Sequence, residues 1–89
     1  MTASGTGGAR PRVRVAGALT RVRAGPPGQP PMLRAELRSG QGAVTVIWLG
    51  RTSITGIEPG RPLAVEGTLA MRRGRQVIYN PRYQLGAPR

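Results

Sequence analysis

The sequence predicts an all-β fold, a small five-stranded Greek-key barrel. Apolar residues alternate with polar or small ones through successive segments, clusters of Gly and Pro separate those segments, and no stretch carries a sustained helical period. The chain has 89 residues and its first nine are Gly, Ser, Thr and Ala around a single Met, with nothing to bury. One domain over residues 12–85 follows, between a flexible basic tail at 1–11 and a short tail at 86–89. A domain of this size buries only about 60% of the surface its unfolded chain would expose. With no Cys and no His, neither a disulfide nor a zinc site is available to reinforce it.

The first strand spans Arg12 to Arg23. Val13, Val15, Gly17 and Leu19 share one face, and Val22 then breaks the phase near Thr20. That break, with Gly17, predicts a bulge or strong coiling, the device by which one long strand serves both sheets of a small barrel. Ala24 to Pro31 holds four prolines and reads as a stiff loop. Met32 to Ser39 resumes alternation with Leu33, Ala35 and Leu37 inward and Arg34, Glu36 and Arg38 outward. Gly40-Gln41-Gly42 supplies a hairpin turn into Ala43 to Leu49, a strand apolar on both faces.

Gly50 to Gly60 lacks a period and has room for at most a short helix between strands three and four. Arg61 to Arg73 then sets Leu63, Val65, Gly67, Leu69 and Met71 against Ala64, Glu66, Thr68 and Ala70, and Arg73-Gly74 turns tightly into Gln76 to Tyr79. Tyr79 shares its face with Val77 and is expected to close the barrel, and Asn80 and Pro81 to end the fifth strand. Five strands with a single short connection after the third is the outline of an OB barrel.

Charge points to function more strongly than any motif. All fourteen basic residues are arginines, and the only acids are Glu36, Glu58 and Glu66, for a net charge of +11. Complete pairing of the glutamates would leave that whole excess uncompensated. Crowded like charges destabilise a compact chain, so a polyanionic partner is expected. Arginine suits such a partner, because its planar fork binds phosphate bidentately and stacks on bases. Catalysis is not expected: there is no His, Cys, Asp or Lys to serve as base, nucleophile or ligand, and the three glutamates do not cluster. No cofactor or metal is expected either. The longest apolar run, Ala43 to Leu49, is too short to span a bilayer, and the N-terminus lacks the apolar core of a secretory signal. A cytoplasmic protein without membrane contact is the expectation.

The segments VRVAGALTRVR, GAVTVIWLG and GIEPGRPLAVEGTLAMRRGRQVIYNPRYQL resemble stand-alone OB-fold nucleic-acid-binding proteins of actinobacteria. They are also similar to the OB wedge domain of branch-migrating DNA helicases, in the glycine-rich turn, hydrophobic third strand, Pro-Gly turn and closing Asn80-Pro81-Arg82-Tyr83. The resemblance implies binding of single-stranded DNA or RNA, or of junctions, across strands two and three. Loops Ala24 to Pro31 and Arg72 to Arg75 would flank that surface. Helicase motifs are absent, so no motor activity is implied.

The candidate contacts follow. Arg72, Arg73 and Arg75 at a hairpin tip are set to clamp a phosphate backbone, against the alternative of a merely solubilising turn. Arg34 and Arg38 on the second strand, with Arg12 and Arg14 on the first, make a stripe that Glu36 interrupts. Cross-strand pairing with Glu36 or Glu66 would equally account for it. Trp48 and Tyr83 are candidates for stacking, Tyr83 beside Arg82, although the alternation of Trp48 with Val44 and Val46 favours the core. An inward Trp48 turns Ile47 and Leu49 outward, an apolar patch that would suit a protein partner instead of nucleic acid.

Overall fold

A computed structural model describes residues 10–87. Most of the two expected tails, residues 1–9 and 88–89, lies outside the described residues. Strand β1 runs Arg12–Ala24, β2 Met32–Ser39, β3 Gly42–Leu49, β4 Pro62–Arg72, β5 Arg75–Tyr79 and β6 Arg82–Leu85. The first five close a ring. β1 pairs antiparallel with β2, β2 with β3, β5 with β4 and β4 with β1, while β3 and β5 pair parallel. The order 1-2-3-5-4 closed back on strand 1 is that of an OB-type barrel.

β1 makes closure possible by changing partners. Its first half, Arg12 to Ala18, lies along Thr68 to Pro62 of β4, and its second half, Ala18 to Ala24, along Arg38 to Leu33 of β2. The register slips between Leu19 and Arg21, which leaves Thr20 as the extra residue of a bulge, where the sequence phase breaks. Gly17 sits at the crossover. A Cβ there would overlap the backbone carbonyl of Arg38, so only glycine lets the end of β2 pass this close.

Leu19, Leu37, Val46, Val65 and Ile78 are fully buried, and Leu33, Val44, Trp48 and Leu63 complete the interior around them. The connection after β3 contains bends and turns but no helix. It contributes Ile54 and Ile57 to the core, with the Ile57 N–H donating to the Ile54 carbonyl at 3.0 Å. It is tied to the β1 bulge as well: Gly60 N–H donates to the Leu19 carbonyl at 2.7 Å and Leu19 N–H to the Arg61 carbonyl at 3.0 Å.

Two expectations at the end of the barrel are corrected. Tyr79 does not close it. Val77 and Tyr79 face outward and Ile78 between them is the core residue, at 0% exposure. Val77 is buried all the same, because Thr45 and Ala70 flank it on the outer surface. Met71, expected on the same face as Leu63 and Val65, lies past the last core layer and is exposed.

β6 is a sixth strand that the alternation did not announce. Asn80 adopts a left-handed φ of 48°, redirecting the chain from the far half of β4, paired with β5, to its near half, Leu63 to Glu66, paired with β6. Asn80 also extends the β3–β5 seam. Its N–H donates to the Ile47 carbonyl at 2.7 Å, and its side-chain Oδ1 accepts from the Leu49 N–H at 2.8 Å. Order also reaches into both expected tails: Pro11 accepts from Leu69 N–H and Gly86 N–H donates to Pro62, each at 2.8 Å.

Candidate nucleic-acid interface

The pairing registers place two transverse rows of side chains on the outer face of β1, β2, β3 and β5. One row reads Arg23, Arg34, Ile47, Tyr79, and the next reads Arg21, Glu36, Thr45, Val77. Neighbouring strands lie about 4.8 Å apart, so each row crosses roughly 14 Å. The β4–β5 hairpin overhangs one side and adds Arg72, Arg73 and Arg75.

These residues enclose a groove of two adjoining cavities. One of about 220 Å³ is lined by Arg21, Arg23, Arg34, Glu36, Thr45 and Arg75. The other, about 520 Å³, is lined by Arg34, Thr45, Ile47, Val77, Tyr79 and the three hairpin arginines. Arg34, Thr45 and Arg75 border both. Six arginines and one glutamate thus surround a floor of Thr45, Ile47 and Val77. That floor is buried under its neighbours' side chains, and Tyr79, 37% exposed, stands at its edge. Ala24 to Pro31 lies at the end of β3, where the Gly50 N–H donates to Pro31 at 2.8 Å.

The hairpin tip is under backbone strain. Arg72 faces Arg75, and the two linking residues, Arg73 at φ 54° and Gly74 at φ 78°, both lie in the left-handed region, as a two-residue type I′ turn requires. Asparagine or glycine suits the first of these positions. A left-handed arginine costs about 1 kcal/mol, and such strain concentrates where a side chain is needed for function. Arg73→Asn is therefore expected to raise the unfolding free energy by a few tenths to about 1 kcal/mol in chemical denaturation.

Arg34, Arg72, Arg73 and Arg75 come together as the sequence suggests, and the other expected contacts do not. Trp48 is 5% exposed and belongs to the core; its indole Nε1–H is buried and has no hydrogen-bond partner among the described residues. Tyr83 packs edge-on against it, with ring centroids 5.6 Å apart and planes at 81°, so its ring serves that contact although 40% of the residue is exposed. Arg82 is carried off the groove by β6, opposite Glu66, which on its other side pairs with Arg14. The expected stripe of Arg12 and Arg14 with Arg34 and Arg38 does not form, because the first half of β1 lies on β4. Arg38, opposite Ala43, is outward but does not line the groove.

Arg21, Arg23, Thr45 and Tyr79 also line the groove and were not among the expected residues. The alternation of Arg21, Val22 and Arg23 after the phase break was a usable signal for the first two. No protein-family model matches the chain, and no curated protein matches it in sequence. Among the described residues no helix is long and apolar enough to cross a membrane.

Proposed function

We propose that the protein is a non-catalytic module that binds single-stranded DNA or RNA in the groove over β2, β3 and β5. The carrying observation is convergence: six arginines from three separate segments, β1, β2 and the β4–β5 hairpin, surround one partly apolar floor. Guanidinium groups at the rim suit a phosphate backbone. Tyr79 at the edge of the floor offers a ring on which an unpaired base can stack, which favours a single strand over a duplex. With one aromatic ring in the groove, affinity rests mainly on charge. The resemblance to stand-alone OB-fold proteins points the same way, and a nucleic-acid partner of this kind fits a cytoplasmic location.

The test is fluorescence anisotropy with labelled single-stranded and duplex DNA and RNA over a series of salt concentrations, with an Arg72→Glu, Arg73→Glu variant alongside. Neutralising about four phosphates gives a slope of log affinity on log salt near −3 for single strands. The double variant should bind more weakly and with a flatter slope. Exposed Leu49 and Met71 favour a protein partner as the second reading. That reading takes over if no oligonucleotide binds even at low salt.

A further inference from the structure

Glu36 is the one acid in a groove that six arginines surround, and it sits where phosphate would be expected. It is half-buried on β2, between Arg21 and Thr45 in the cross-strand row. Its carboxylate is held in place: Oε1 accepts the Thr20 hydroxyl at 2.9 Å, and the same hydroxyl lies 3.4 Å from the Glu36 carbonyl. Thr20 is the extra residue of the β1 bulge, so the irregularity that bends the strand also aims a donor at this carboxylate. The cavity over it, about 220 Å³, falls below the ~300 Å³ at the small end of ligand pockets and suits a single planar base.

An ionised carboxylate only accepts hydrogen bonds, and it repels phosphate. Resting on the single-strand reading above, we propose that Glu36 is a base-reading residue that selects bases carrying an exocyclic amino group. The arginines at the rim hold the backbone, which turns a base toward the floor. There the second carboxylate oxygen receives the amino group of cytosine, adenine or guanine. Thymine and uracil present a carbonyl oxygen at the corresponding position, acceptor against acceptor, and are disfavoured.

The experiment compares oligo-dC with oligo-dT of equal length, both flexible pyrimidine strands, by anisotropy at one salt concentration. The parent protein, Glu36→Gln and Glu36→Ala are measured together, with thermal unfolding by circular dichroism as the control for folding. The parent is expected to prefer dC by about five- to tenfold, on the scale of one specific base contact. In Glu36→Ala the affinity for dT should rise as the repulsive charge is lost and the preference should fall to twofold or less. Glu36→Gln, which keeps the side-chain volume, should lose most of the preference too. Equal binding of dC and dT by the parent, or a preference that survives in Glu36→Ala, overturns the base-reading role while leaving the single-strand reading standing. Failure of the parent to bind either oligomer at low salt overturns both.

Discussion

Trp48→Ala is expected to destabilise the protein by about 3 to 5 kcal/mol, the range for truncating a large aromatic in a packed core. The residue lies at 5% exposure among Val46, Leu33 and the loop isoleucines, with Tyr83 edge-on against it. Truncation leaves a cavity that a barrel tied by hydrogen bonds on every side has little freedom to close. Small domains have little stability in reserve, so the variant should melt far below the parent and be partly unfolded at ordinary temperatures. Urea denaturation followed by circular dichroism at low temperature measures the loss. Oligonucleotide affinity, measured where the variant is still folded, should stay within a few-fold of the parent. A variant that keeps its stability and loses binding would instead return Trp48 to the interface.

Trp48 is ambiguous in sequence because its strand has no polar face. β3 is apolar on both faces, because one face meets the core and the other forms the floor between β2 and β5. Alternation with Val44 and Val46 therefore favoured the core without deciding it, since the opposite face carries Ile47 and Leu49 and has Thr45 as the single polar residue in the strand. Tyr79 was misplaced for a related reason: Val77, on its face, is apolar and so suggested the core, whereas Val77 is covered on the outside by Thr45 and Ala70 while Ile78 turns inward. The strands themselves were legible, since their alternation and their Gly and Pro boundaries are local signals. Which arginines of β1 join the others was not. The bulge at Thr20 decides that Arg21 and Arg23, not Arg12 and Arg14, join Arg34, and register between strands distant in sequence is fixed by the closed barrel. β6 escaped notice because it is four residues long and turns on the left-handed Asn80.

Location of charge, as distinct from its amount, can be separated by two double reversals of equal charge change. Arg34→Glu with Arg75→Glu removes the two arginines that border both halves of the groove. Arg14→Glu with Arg82→Glu removes two from the face built by β1, β4 and β6. Both pairs are exposed, so neither should change stability by much, and relief of like-charge crowding offsets part of any loss. If the groove holds the backbone, the first variant loses two charge-assisted contacts of about 1.5 to 3 kcal/mol each and binds at least ~100-fold more weakly. Its salt slope should flatten by about 1.4, two phosphates at the single-strand coefficient. The second variant loses only the screened long-range attraction, which falls off over about 10 Å at moderate salt, and its affinity should drop a few-fold. Equal losses in the two variants would mean that binding follows net charge over the whole surface and that the groove has no privileged role. A loss confined to the Arg14 and Arg82 variant would move the interface to the opposite side of β4.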